Sequence, residues 1–457
     1  MVPERVLPLV EETRELAERF ARAGKQLYLV GGVVRDAILG RIEDGADLDF
    51  TTDARPDEIE DLVRPGADAV WVQGKRFGTI SLLRGGRQYE ITTHRAEAYV
   101  PDSRKPDVSF SDDVEADLSR RDFTVNAMAL RLPDVALVDP FGGVDDLAAG
   151  RLRTPLAPQA SFDDDPLRML RAARFIAGYD LVPDGDVIAA VRTMHSRLEI
   201  VSAERIRDEL DKLICVPRPG KGLWFLVRNG LAAEFLPELP ALELEQDPVH
   251  RHKDVLAHTI AVVEKTRATK AVRLAALFHD VGKPKTRSIG PKGVSFHHHE
   301  VVGARMTRDR MRALRYASDE IDKVSRLVEL HLRFHTYRMG WTDSAVRRYV
   351  RDAGDLLDEL NELTRCDCTT RNRQRAEELG RRMDELEVRI DELARDEELR
   401  AIRPDLNGHQ VMDHLGIPPG PIVKEALDFL LELRLDEGPL GDEEAYLRLD
   451  EWWMRRS

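Results

Sequence analysis

The stretch Leu29-Val30-Gly31-Gly32-Val33-Val34-Arg35-Asp36, followed by Asp47-Leu48-Asp49-Phe50-Thr51-Thr52, decides how the first part of this chain folds. Apolar residues run up to paired glycines, and a helical pattern starts directly after them. This order predicts a strand over Gln26–Val30, a Gly-Gly turn and a helix over Val33–Leu39. Gly31 and Gly32 would let backbone N–H groups approach phosphate oxygens, and the helix N-terminus adds partial positive charge. Arg35, one turn inside the helix, is expected to reach the same phosphates with its fork of donors. An ordinary strand-to-helix turn would read the same, because short glycine patterns recur by chance. The next predicted strand, around Asp47–Thr52, shifts the balance. Residues i and i+2 of a strand face the same way, so the Asp47 and Asp49 carboxylates converge on one point. Two hard oxygen donors held together suit a Mg²⁺ that also grips a triphosphate. A solvated acidic strand end is the plainer alternative, with Glu43 and Asp44 close by. Glu90, on the later strand Tyr89–Thr93, is the candidate third carboxylate. Such a site supports in-line nucleotidyl transfer, with an attacking hydroxyl and a departing pyrophosphate.

The rest of the composition sets bounds on this reading. With 457 residues, the chain exceeds one compact core, and two to four domains are expected. Hydrophobic residues at 42% and charged residues at 33% describe a globular chain, not a disordered or collagenous one. No apolar run approaches the ~20 residues that span a bilayer. The N-terminal residues carry acids where a secretory signal would be basic and then apolar, so a cytoplasmic location is expected. Three cysteines, Cys215, Cys366 and Cys368, are too few for a disulfide framework or a closed thiolate zinc site. The net charge of −14 argues against nucleic-acid binding in bulk. Clustered arginines still leave room for a local basic track.

Organisation along the chain predicts an α+β protein with a small mixed-sheet head followed by all-helical domains. Residues 1–24 form an amphipathic helix ended by Gly24. A helix opens near Pro56, and Thr79–Leu83 and Gln88–Thr93 form a hairpin about Gly85-Gly86. Residues 97–117, rich in Pro, Asp and Ser, are expected as a mobile loop. The expected domains are a head at 1–150, a helical neck at 151–245, a histidine-rich domain at 246–370 and a charged helical tail at 371–457. Leu236–Pro240 is the expected linker, and the tail has Glu/Arg alternation over Arg375–Leu399, a Gly416–Pro421 turn and a last helix.

Gly31-Gly32-x-x-Arg35-Asp36 followed by Asp47-x-Asp49 resembles the head motif of the polymerase-β-like nucleotidyltransferases. Within these the chain is similar to the class II CCA-adding enzymes of tRNA and their bacterial poly(A) polymerase relatives. Arg120-Arg121-Asp122-Phe123-Thr124-Val125-Asn126-Ala127-Met128-Ala129 resembles a second motif of that family, which implies that Arg121 and Asp122 bind the nucleotide ribose. Asp139-Pro140-Phe141-Gly142-Gly143 and Asp164-Asp165-Pro166-Leu167-Arg168-Met169-Leu170-Arg171 resemble the third and fourth. Independent matches in family order multiply down the chance of coincidence.

Arg168, Arg171 and Arg174 recur every three residues and drift slowly around one helix face. Such stripes are usually solvated surface, but Asp165 lies one turn earlier. Cytosine and adenine both present an amino donor beside an unprotonated ring nitrogen. A carboxylate accepts from the first and a guanidinium donates to the second, whereas uracil and guanine would leave both contacts unmatched. The resemblance implies that Asp165 and Arg168 read the incoming CTP or ATP, with Arg171 and Arg174 near the nucleotide. The family usually has Glu-Asp where this chain has Asp164-Asp165, which leaves the reading pair intact. Ser202–Leu210 resembles the family's neck helix, read as scaffold with possible RNA backbone contact and no catalytic role.

His258, His279-Asp280, His297-His298-His299, His331, His335 and Asp367 gather most of the chain's histidine. Phe278-His279-Asp280-Val281-Gly282-Lys283 resembles the signature of the HD metal-dependent phosphohydrolases. That resemblance implies His258, His279, Asp280 and Asp367 as ligands of one divalent ion, with His299 and either His331 or His335 for a second. Imidazole with carboxylate suits a divalent transition metal better than Mg²⁺. A helical HD fold kept as scaffold is the alternative. The whole reading is a template-independent enzyme that adds CCA to the 3′ end of tRNA from CTP and ATP with Mg²⁺, without membrane or obligate protein partner. A poly(A) polymerase of the same family is the alternative, followed by an HD phosphohydrolase whose head only binds nucleotide.

Overall fold

The computed structural model describes residues 6–42, 45, 47–95, 110–244, 254–290, 293–337, 340–368, 373–396, 399 and 402–456. Chain contacts divide it into two compact units, Met1–Phe235 and Leu236–Ser457.

The first unit is built on a seven-stranded sheet in the order β3-β4-β5-β2-β1-β6-β7. Its strands are β1 Leu27–Val30, β2 Leu48–Thr52, β3 Ala69–Trp71, β4 Thr79–Arg84, β5 Arg87–Thr93, β6 Ala129–Leu132 and β7 Ala136–Val138. The Gly85-Gly86 hairpin forms as expected, with β4 antiparallel to β5. The neighbour of β5 on its other side is β2, and that pairing alone among the strand pairs of this sheet is parallel. The sequence reading did not single out β3, β6 or β7. Each has only three or four residues, too few to show a period against their turn-rich surroundings.

Alternation along these strands places one large apolar core beneath the sheet. Leu27, Leu29, Leu48, Phe50, Ile80, Leu82, Tyr89 and Ile91 pack there with Leu16 and Phe20 of the Leu7–Arg22 helix and Ile59 of the Pro56–Val63 helix. The Asp49 and Glu90 side chains belong to the opposite face.

The expected loop at 97–117 is only partly so. Residues 96–109 lie outside the described residues, as do Glu43 and Asp44. Phe110 bridges to Arg95, and a helix spans Val114–Ser119 with Asp113 as its cap, its carboxylate accepting from Glu115 N at 2.8 Å. The capping aspartate supplies the helix start that the sequence period hid.

Beyond the sheet the first unit continues with helices that include Pro158–Asp164, Arg168–Tyr179, Ala203–Ile214 and Gly220–Arg228. Ser202 caps the Ala203–Ile214 helix, accepting from Arg205 N at 3.4 Å. The second unit is mostly helical, with a hairpin of Arg287–Gly290 and Gly293–Phe296 inserted beside the His299–Ala313 helix. Its charged helix spans Arg373–Asp396, and after the Gly416 turn the chain forms two helices, Pro421–Glu437 and Asp442–Arg456. No described helix is long and apolar enough to cross a membrane.

Phe50 is 1% exposed and packs on Tyr89 with ring centroids 5.6 Å apart. Phe50→Ala should therefore destabilise the first unit by about 3–5 kcal/mol, read as an earlier transition in a urea melt.

Candidate functional site

The sheet places the acidic residues. Parallel pairing puts Asp49 directly beside Glu90, in register, and laterally paired residues send their side chains to the same face. Asp47 precedes β2 on an exposed stretch. Asp49 and Glu90 keep exposed surface, but the protein packed around them is the largest influence on both and raises their pKa values; Arg121 opposes it at Asp49, and Asp47 raises Asp49 further. At Glu90 the neighbouring Asp49 adds to the upward shift. The three carboxylates therefore share one field. Their oxygens do not form a group all within 4.8 Å of one another; among the described residues such groups occur only in the second unit.

The glycine turn lies against this acidic face. Gly31 has φ +74°, and a Cβ there would stand 3.1 Å from Arg121 Nη1 and 4.0 Å from Asp49 Oδ2. Only glycine accepts that backbone angle without strain and leaves room for the guanidinium. Gly31 caps the Gly32–Leu39 helix, and Arg35 N donates to its carbonyl at 3.3 Å.

Arg35 reaches the turn, where a Cβ at Gly32 would stand 3.4 Å from its Nη2, but its fork is already engaged by protein partners. It is 6% exposed, donating to Asn126 Oδ1 at 2.6 Å, to both Asp36 oxygens at 3.0 and 2.8 Å, and to the Tyr179 hydroxyl. Its guanidinium lies 4.1 Å from the Tyr179 ring centroid. Arg35 is thus a tie that still borders Gly32, and Arg121 is the guanidinium beside Gly31 and Asp49. Arg121 is in turn steered by Asp117, a buried residue the sequence reading passed over, whose carboxylate also takes Arg120 Nη2 at 2.6 Å. Its spacing of four before Arg121 was the available signal.

Asp122, Asp165 and the arginine stripe form a second group. Asp122 is buried and accepts from Arg171 Nε at 2.7 Å, Asn126 Nδ2 at 2.9 Å and Phe123 N at 2.8 Å. Burial is the strongest influence on its carboxyl and opposes the charge, but Arg171 and these donors outweigh it and hold the pKa far below the usual carboxylate range. Arg168 donates to Ser161 Oγ at 2.8 Å and to the Arg120 carbonyl. Arg174 donates to Glu209 Oε2 at 2.8 Å. The stripe is thus tied inward, bringing residues 120–122 against the Arg168–Tyr179 helix.

The second unit holds a metal-competent cluster. His258, His279 and Asp280 form one group of close ligand atoms, and Asp280, His299 and His331 form another. Asp280 belongs to both: Oδ2 lies 3.2 Å from His279 Nε2, and Oδ1 lies 3.4 Å from His299 Nε2. Asp367 Oδ1 is 2.8 Å from His258 Nε2 and 3.5 Å from His279 Nε2. His331 stands in the second group with its ring 5.2 Å from that of His299, and the His335 ring packs on Phe334. Lys283, missed as a contact, donates to Asp280 Oδ2 at 2.7 Å.

Local backbone geometry aims these rings. His279, His299 and His331 each direct Nδ1 at the carbonyl three residues earlier, those of Ala276, Phe296 and Val328, at 2.7, 2.8 and 2.6 Å. A carbonyl only accepts, so Nδ1 carries the proton and Nε2 turns into the cluster. The Nε2 atoms of His299 and His331 are buried with no hydrogen-bond partner. Buried orphaned nitrogens beside a shared carboxylate, each oriented through its other ring nitrogen, fit a divalent transition metal. Burial opposes charge on His279 most strongly, but Asp280 and Asp367 outweigh it and push its pKa up to about 10. His331, where burial and then the charge of His279 act together, is pushed down to about 3.

Gly282 allows the close approach behind this cluster. A Cβ there would stand 2.1 Å from the His299 carbonyl and 2.8 Å from Gly303 N. Gly282→Ala must displace the start of the His299–Ala313 helix and should cost at least about 1–3 kcal/mol, seen as a lower melting temperature. A depressed folded pKa contributes stability that is complete above the unfolded value of about 3.9 and fades as pH falls through the lower folded value. Asp122→Asn should flatten the loss of stability below about pH 4 in acid unfolding followed by circular dichroism.

Comparison with known proteins gives three family matches in chain order. Residues 27–153 match the poly(A) polymerase head domain, 181–242 a probable RNA- and SrmB-binding site of polymerase A, and 255–394 the HD domain. An A-adding tRNA nucleotidyltransferase of Deinococcus radiodurans is 34% identical over 421 residues, spanning 89% of this chain and 91% of that protein. A CCA-adding enzyme of Limosilactobacillus reuteri is 38% identical over 227 residues, 49% of this chain and 55% of that one. Among solved structures, the Bacillus stearothermophilus CCA-adding enzyme in complex with CTP superposes with TM-score 0.70 at 23% identity, covering 99% of this chain and 98% of that one. The Thermotoga maritima CCA-adding enzyme complexed with tRNA gives TM-score 0.59 at 21% identity over 98% and 96%. At these identities the two structures speak to the fold.

Proposed function

This chain belongs to the tRNA nucleotidyltransferase and poly(A) polymerase family, and from that premise we propose that it adds CCA to the 3′ end of tRNA from CTP and ATP without a nucleic-acid template. The observation that carries the proposal is the in-register Asp49–Glu90 pair on one sheet face, with Asp49 beside the Gly31 turn and Arg121. Family membership implies a divalent metal at this face. We assign Mg²⁺, held by Asp47 and Asp49 with Glu90 as the third carboxylate, because hard oxygen donors suit it. When bound, it would polarise the attacking 3′ hydroxyl and the triphosphate.

The chain's own groups do the rest. Gly31 and Gly32 leave backbone N–H groups open to phosphate, and Arg121 adds positive charge beside them. Asp122, immobilised by Arg171, takes the ribose. Asp165 accepts from the base amino group while Arg168 donates to the ring nitrogen, with Arg171 and Arg174 near the nucleotide, which favours C and A over U and G. Pyrophosphate leaves as the new phosphodiester forms. We carry the division into a 1–150 head, 151–245 neck, 246–370 HD domain and 371–457 tail as the functional subdivision, with the neck running past the end of the first compact unit at Phe235. For the HD domain we assign His258, His279, Asp280 and Asp367 to one transition-metal ion, and His299 and His331 with Asp280 to a second. We place the protein in the cytoplasm with tRNA.

A second reading, addition of the terminal A alone, is favoured by one observation. The A-adding relative aligns with 89% of this chain, whereas the CCA-adding relative described above aligns with 49%. Purified protein with Mg²⁺ and labelled nucleotides separates them. Addition of three residues to tRNA that lacks CCA supports our proposal. Extension confined to tRNA already ending in CC selects A addition, and a long A ladder selects a poly(A) polymerase. Asp47→Ala should lower addition by at least about 100-fold with the melting temperature unchanged, because an exposed metal carboxylate contributes little to stability.

A further inference from the structure

The Ala203–Ile214 helix of the first unit touches the base-reading segment with opposite charges one turn apart. Arg205 Nη2 donates to Asp165 Oδ2 at 2.7 Å. Four residues on, Glu209 accepts from Arg174 Nε at 2.8 Å and has its other oxygen 3.8 Å from Arg171 Nη1. The two positions share a helix face, so a cation meets the reading carboxylate and an anion meets the arginine stripe. That complementary pattern fixes how the two segments register against each other.

The Asp165 contact matters most because both carboxylate oxygens become committed. Oδ1 accepts from Leu167 N at 3.1 Å, and Oδ2 from Arg205. Together these two bonds define the plane of the carboxylate. An aspartate χ2 is otherwise broad and two-fold, and a freely turning carboxylate accepts from a base in many orientations. Each oxygen retains a second lone pair for a ligand. Glu209 is 4% exposed, so its half of the clamp is buried structure, whereas the Arg205 side chain is 53% exposed, at the solvent side of the reading group.

We propose that Arg205 is a specificity-positioning residue: through its ion pair with Asp165 it orients the carboxylate that discriminates the incoming base. This rests on the transferase reading above and adds to it a residue outside the arginine stripe. Arg205 acts through Asp165 and needs no contact with the nucleotide.

The test uses the full-length protein, Mg²⁺, a tRNA acceptor and each of the four nucleoside triphosphates. Arg205→Ala should lower the preference for CTP and ATP over UTP and GTP by about tenfold, with a larger rise in KM for the correct nucleotides than fall in kcat. Arg205→Lys, which keeps the charge but loses the planar fork, should restore part of the preference. The melting temperature should hold, since an exposed ion pair adds little stability. Unchanged base preference and KM in Arg205→Ala would overturn the inference while leaving the transferase reading standing. So would equal loss of all four nucleotides with a lowered melting temperature, which marks a structural role. A wild-type protein that incorporates no nucleotide removes the transferase reading and this inference together.

Discussion

The parallel pairing of β2 with β5 is the constraint on which the candidate transferase face depends. It joins strands that are not adjacent in the chain, and the segment between them supplies the Pro56–Val63 helix, β3 and β4. Its register sets Asp49 against Glu90 while Leu48, Phe50 and Ile91 go into the core. A slip of one residue would send the carboxylates inward and the apolar side chains out. Burying unpaired carboxylates is far costlier than any local gain from an alternative ladder. The apolar core therefore holds the acidic face in place, although none of its residues touches that face's chemistry.

The second unit reaches a comparable result by another route. Three imidazoles are aimed by hydrogen bonds to carbonyls of their own local backbone, two of them, at His279 and His331, at helix C-termini. The last carbonyls of a helix have no partner within it, so each of these bonds satisfies a helix end and selects a ring tautomer. Asp280 then gathers both groups of nitrogens around one carboxylate. Gly282 lets the backbone carrying His279 and Asp280 lie against the helix carrying His299. Packing and ligand geometry meet at that glycine.

Much of this was legible in residue order. The Gly31-Gly32 turn, the β4–β5 hairpin and the Ser202 cap are local patterns whose physical meaning survives without coordinates, whereas Asp47, read as part of the strand, falls just before β2. Arg35 shows the limit. Its spacing places it beside the glycines, but only the folded chain brings Asn126 and Tyr179 to the same guanidinium. Arg205 is the converse. Nothing in its own neighbourhood marks the contact it makes with Asp165 across the fold.

Residue order by itself determined the kinds of chemistry available: hard carboxylates and glycines in the first half, imidazoles with carboxylates in the second, and the local turns and caps that carry them. Those follow from side-chain type and from periodicities of two and 3.6 residues. Tertiary structure decided which groups meet: Glu90 beside Asp49, Arg121 beside Gly31, His331 with His299, and Arg205 on Asp165. Pairing between distant segments is set by how the whole apolar surface is buried at once. No short stretch contains that information.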